Sequence, residues 1–201
     1  IINRSDIEII SAKRWTTKLA PNQFKKITGL DNYPEYLQKD VNSDTLNIYC
    51  NGEINYTIKG KHAKVSVRWN YKAPEGTGDT HQSSMRGTIS DLIIKQGEAE
   101  SFKPTLYVSA KKGSNFESNL YQVIKSLQGD YPGIQADKIS DLLWKIVIPE
   151  ALKIGHEAHF GQVTNNFLRY FKDSKLPEWE VPNMISKYYT TKEAYKKAIE
   201  K

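Results

Sequence analysis

Between Trp69 and Thr88 the chain reads WNYKAPEGTGDTHQSSMRGT. The stretch gathers an Asp, a His, an Arg, several hydroxyl residues, a Trp and a Tyr. Its middle, 74–79, is too rich in Gly and Pro for regular structure. Polar and aromatic groups on a loop between rigid strands are a common way to build a small-molecule site. Asp79 and Arg86 can each make several hydrogen bonds to vicinal hydroxyls, His81 can contribute another, and the face of Trp69 suits the apolar side of a sugar ring. The bland alternative is a long polar connection in a hairpin.

A second cluster lies in GHEAHF, where His156 and His159 are three residues apart and Glu157 stands between them. On a helix the two His share a face. A zinc-protease motif requires His-Glu-x-x-His, a different spacing, and no spacing rule joins these residues to Asp79 and His81 in a metal site. Capping a helix start, ligating a metal and hydrogen bonding to sugar hydroxyls all remain open for this cluster. Ser83 and Ser84 follow His81 directly, but no nucleophile elbow surrounds them. Gly76-Thr77-Gly78 lacks the strand-to-helix setting of a nucleotide loop. Ligand contact is therefore expected of Trp69, Asp79, His81, Arg86, His156, Glu157 and His159. No catalytic, cofactor-binding or metal-binding residue is assigned.

These residues need a scaffold. The 201 residues suffice for one domain with a real core, two smaller domains being the alternative. A hydrophobic share of 38% with 26% charged residues marks a soluble globular chain. No apolar run approaches the roughly 18 residues of a membrane-spanning helix, and there is no signal-peptide pattern. The net charge of +6 is mild and its Lys residues are scattered, which argues against nucleic acid as a partner. The single Cys50 excludes an internal disulfide framework and leaves cytoplasmic and periplasmic settings open. Opening on Ile1-Ile2-Asn3 without Met, the sequence reads as a piece of a longer protein or a processed one.

The first half reads as strands: 6–15, 45–50 turning at Asn51-Gly52 into 53–58, then 62–71, 87–96 and 105–110. Pro21 and Gly29 bracket a short helix. The second half is mostly helical. Ser114 and Glu117 form a capping-box signature for a helix to Leu127. Apolar faces mark helices over 159–171, 181–189 and 191–199, and 145–148 is a last short strand. Strands followed by helices, without a βαβ rhythm, give an α+β class. The expected architecture is an open, mainly antiparallel sheet of about six strands with helices on one face.

The strings RWNYKAPEGTGDTHQSSMRGT, LIIKQG, GHEAHFGQVTNNFLRYF and LPEWEVPNMISKYYTT resemble the carboxy-terminal domain of oxidoreductases in the family of glucose–fructose oxidoreductase and inositol dehydrogenase. The likeness runs over nearly the whole chain. It implies an upstream Rossmann domain holding NAD or NADP, hydride transfer to or from a sugar or cyclitol hydroxyl, and assembly into homo-oligomers through the open face of the sheet. The family's nucleotide fingerprint, its Glu-Lys-Pro segment with the catalytic Lys, and its Asp-x-x-x-His pair have no match here; Asp79-Thr80-His81 has the wrong spacing. The resemblance thus implies a substrate and assembly half that binds no dinucleotide and does not turn over alone. Two other readings stand beside it: a non-catalytic carbohydrate-binding or assembly module, and a metal-dependent hydrolase using His81, His156 and His159.

Overall fold

The computed structural model describes residues 1–73, 75–112 and 115–200. They fall into two compact units, one of Ile1–Lys72 with Arg169–Lys201 and one of Ala73–Leu168. The class is α+β, and strand pairing is antiparallel throughout. Nine strands, rather than about six, are present among the described residues, in two open sheets.

In the first unit, β1 (Ile7–Leu19) pairs along β3 (Thr45–Ile58), which is flanked by β2 (Val41–Asn42) and β4 (Lys61–Val67). The Asn51-Gly52 pair does not turn. The chain runs straight through it as one strand of 14 residues. The reason is local: the register of β1 against β3 slips between Trp15 and Thr17, and the Asn51 side chain fills that irregularity. Its amide nitrogen donates to the Trp15 carbonyl (3.1 Å) and to Thr17 Oγ1 (2.9 Å), and its oxygen accepts from the Trp69 backbone N–H (2.7 Å). Only 5% exposed, Asn51 works as a fastener rather than a hairpin residue.

At one end of this sheet Leu19 and Leu46 meet Phe24, from α1 (Pro21–Thr28), and Tyr33. Tyr33 meets Phe24 edge-on at 4.9 Å and donates its hydroxyl to the Leu19 carbonyl at 2.8 Å. Alternation puts Ala63, Val65 and Val67 of β4 on one face and Lys64 and Ser66 on the other. The apolar face looks toward α4 (Glu180–Ile199), which packs along β1. This is a single helix, not the two expected. Thr190 and Thr191, which look like a fresh start in the sequence, instead donate their hydroxyls back to carbonyls of Ser186, Lys187 and Tyr188. Arg14 lies over the rings of Tyr49 (4.1 Å) and Tyr195 (5.2 Å), joining sheet to helix.

The second unit holds a five-stranded sheet in the order β5 (His81–Arg86), β6 (Ser90–Gln96), β7 (Thr105–Ala110), β9 (Leu143–Val147), β8 (Gln135–Ser140). Both edge strands escape a pattern reading because they are almost wholly exposed and polar. α2 (Phe116–Ser126) lays Leu120, Phe116 and Ile124 on Val108, Trp144 and Ile146. The expected Ser114 cap lies outside the described residues, as does Pro74 of the loop. α3 (His156–Asp173) begins one turn earlier than its apolar pattern suggests. Cys50 is half-buried. Among the described residues no helix is long and apolar enough to cross a membrane.

Candidate functional site

The residues singled out in the sequence are dispersed. Trp69 belongs to the first unit, where its ring packs against the Leu19–Phe24–Tyr33–Leu46 cluster and meets Tyr71 edge-on at 6.4 Å. Its carbonyl accepts from Thr17 Oγ1 at 2.6 Å. The other six fall in the second unit. His81 opens β5 and Arg86 closes it, so they are roughly 16 Å apart along the strand, and their odd separation puts them on opposite faces of the sheet. Arg86 lies opposite Asp91, which is paired with Lys111 at 3.6 Å.

His156, Glu157 and His159 are exposed on the first turn of α3. His156 Nδ1 is 3.6 Å from Glu157 Oε1, and its ring lies 4.8 Å from that of Phe160. None of the three contacts His81 or Asp79 through a hydrogen bond, ion pair or ring. Among the described residues no three His, Cys, Asp or Glu side chains converge as a metal-ligand set. Backbone bonding at this helix start is ordinary, with the His159 N–H on the Gly155 carbonyl at 3.0 Å.

What the structure does assemble is a polar cleft of about 270 Å³ where β5 and β6 end, lined by Thr80, His81, Gln82, Lys95, Gln96 and Glu100. The pairing register sets His81 opposite Gln96 and Gln82 opposite Lys95. Gln96 Nε2 donates to the Asp79 carbonyl at 3.0 Å, tying the loop to the strand. Gly78 lies so close to Phe102 that an added Cβ would stand 3.2 Å from the Phe102 Cβ, which lets the loop lean on the turn after β6. In that turn Glu100 accepts the Gly97 N–H (3.1 Å) and the Tyr107 hydroxyl (3.1 Å). Desolvation pushes the Tyr107 phenol above its ordinary range, and the bond to the Glu100 carboxylate adds to the rise. Tyr107 therefore stays a neutral donor and Glu100 a fixed acceptor. Alternation sets Gln82 and Lys95 on one face of the hairpin, the face of Tyr107 and Glu100, and His81 and Gln96 on the other; an amide, an ammonium and a carboxylate at one strand end suit a ligand dense in hydroxyls.

A family model described as "Putative oxidoreductase C terminal domain" matches residues 1–199. The chain belongs to this oxidoreductase C-terminal domain family. Among curated proteins nothing matches. A crystal structure described as a putative oxidoreductase from Parabacteroides merdae is 51% identical, with a TM-score of 0.96 over 98% of this chain. This chain covers 46% of that one, so the C-terminal domain is about half the length of the solved oxidoreductase.

Within the oxidoreductase C-terminal domain, Gln82, Lys95, Gln96, Glu100 and Tyr107 were not singled out from sequence. The available signal was faint: Lys95-Gln96 ends an Ile-rich strand directly before Gly97, so polar groups had to face the strand end. Among the described residues Gly76-Thr77-Gly78 lies between β4 and β5 instead of opening a helix.

Proposed function

We propose that this chain is the substrate-side and assembly half of an NAD(P)-dependent oxidoreductase of the glucose–fructose oxidoreductase and inositol dehydrogenase kind, acting on a sugar or cyclitol. In this reading the cleft at His81 and Gln96 contacts substrate hydroxyls, with Asp79 at its rim. The nicotinamide cofactor and the catalytic Lys come from a Rossmann domain elsewhere in the full-length protein, which assembles as a homo-oligomer. The observation that carries the reading is a family match across residues 1–199 in a chain that covers 46% of a 51%-identical solved oxidoreductase. The cleft supports the substrate class, because its lining residues carry hydroxyl, amide, imidazole, ammonium and carboxylate groups that can hydrogen-bond a polyol.

The test uses the full-length protein. NAD+ and NADP+ are offered with a panel of hexoses and inositols, and nicotinamide reduction is followed by absorbance. Turnover with at least one polyol is expected. Replacing Gln82 and Gln96 together by Ala should raise KM about tenfold with a smaller effect on kcat, the loss of two neutral hydrogen bonds. Absence of any nicotinamide binding by the full-length protein sinks the oxidoreductase reading. An unchanged KM sinks the role given to the cleft.

A further inference from the structure

The first sheet carries a second polar hollow, of about 460 Å³, on the face turned away from α4. Lys13 and Trp15 of β1, Glu53 of β3 and Ser66 of β4 line it, together with Arg68 just beyond β4. Register explains the grouping: Lys13 pairs with Glu53, and Glu53 with Ser66. Glu53 is held between Lys13 Nζ (3.4 Å) and Lys64 Nζ (3.0 Å), with only 15% of its side chain exposed. The hydrogen bond from Lys64, with help from Lys13, lowers its pKa, so it is a settled anion. Counting Lys13, Lys64 and Arg68 on this face against Glu53 leaves two positive charges in excess; Arg14, which also lines the hollow, has its guanidinium over the Tyr49 and Tyr195 rings.

Asn51, the buried partner of Trp15 in the β1–β3 register, braces this region and holds the Trp15 carbonyl and the Trp69 N–H through its one side chain. That fixes the backbone at Trp15 and at the residue following Arg68, on the two sides of the hollow. Lys13 Nζ stands 5.8 Å from the Trp15 ring centre, so a cation sits next to an aromatic surface. The Arg68 guanidinium has no hydrogen-bond or ion-pair partner among the described residues. A free planar fork of donors, a second cation and an indole recognise one ligand chemistry: a sugar ring with an apolar face that also bears an anionic group.

We propose that this face of the first sheet binds an acidic sugar, a pyranose carrying a carboxylate or a phosphate, with Arg68 and Lys13 on the anionic group and Trp15 against the ring. This site shares no lining residue with the His81–Gln96 cleft and does not depend on the oxidoreductase reading.

Calorimetric titration of the full-length protein with glucuronate, glucose 6-phosphate, glucose and inorganic phosphate tests it. Binding of glucuronate or glucose 6-phosphate is expected, and whichever binds identifies the source of the anion. Affinity should fall about tenfold or more in Arg68→Gln, where a charge-assisted pair is lost. A clear fall is expected in Trp15→Leu as well. Arg68 is exposed, so Arg68→Gln should keep its circular dichroism, and the result cannot be put down to misfolding. The Gln82→Ala/Gln96→Ala variant should bind these acids as tightly as the unaltered protein does. No binding of either acid overturns the proposal. So does glucose bound as tightly as the acids by the Gln82→Ala/Gln96→Ala variant, inorganic phosphate bound equally well, or a loss caused by the cleft variant instead of by Arg68→Gln.

Discussion

Replacing Asn51 by Ala tests the strongest structural claim, that one amide holds the irregular centre of the first sheet. Three hydrogen bonds disappear at once: those to the Trp15 carbonyl, Thr17 Oγ1 and the Trp69 N–H. At about 1 kcal/mol net for each bond, the loss is about 3 kcal/mol, and the Trp69 N–H left without a partner pushes it upward. Thr17 Oγ1 keeps its bond to the Trp69 carbonyl, which limits the damage. Asn55→Ala is the matched control, because Asn55 makes one exposed bond to Ser11 Oγ and should cost no more than about 0.5 kcal/mol. Urea unfolding followed by circular dichroism measures both. Hydrogen exchange at the Trp69 amide adds a local readout, since that N–H bonds to the side chain that is removed. A loss under about 1 kcal/mol, with the Trp69 amide still protected, would refute the reasoning.

Trp144 is 1% exposed and touches Phe116, so Trp144→Ala should cost about 3–5 kcal/mol. Trp144→Phe should cost far less in the same denaturation assay, because the buried Trp144 Nε1 has no hydrogen-bond partner among the described residues to lose. Gly87→Ala should destabilise the β5–β6 hairpin, since a Cβ there would stand 2.6 Å from the Ser90 carbonyl oxygen; loss of amide protection in β5 reports it. The Glu53 carboxyl titrates below its ordinary value of 4.5 because Lys64 and Lys13 hold the charged form. Its contribution is fully present above that value and is lost as pH falls through the lower folded value. Glu53→Gln should therefore flatten the acid limb of the stability profile, and NMR titration of Lys64→Met should show the Glu53 midpoint rising.

The α+β class and the antiparallel pairing were legible because β1, β3, β6 and β7 alternate or run apolar, and α2 keeps a clean helical stripe. The misread elements share one cause, that tertiary contacts supplied what local chemistry lacked. Asn51-Gly52 looks like a turn until the irregularity in β1 is seen to need an amide. HQSSMR and QADKIS carry no apolar rhythm because edge strands exposed on both faces need none. Thr80 and His81 of the loop line the polar cleft, but the spacing of five between His81 and Arg86 already divides them across the sheet. Glu100 and Tyr107 join the cleft only through a turn whose path no periodicity records.

The first unit is made from both ends of the sequence. The Ile2 N–H donates to Asn183 Oδ1, a span of 181 residues, and the Ser186 hydroxyl donates to the Ile2 carbonyl, a span of 184. The second unit is one uninterrupted stretch. During synthesis the second unit can therefore finish folding while β1 and β3 still wait, half-covered, for a helix the ribosome has not yet made. Closing so long a loop comes late. In the interval the Ile-rich face of β1 is the surface a chaperone would meet, and the order of maturation runs from the middle of the chain outward.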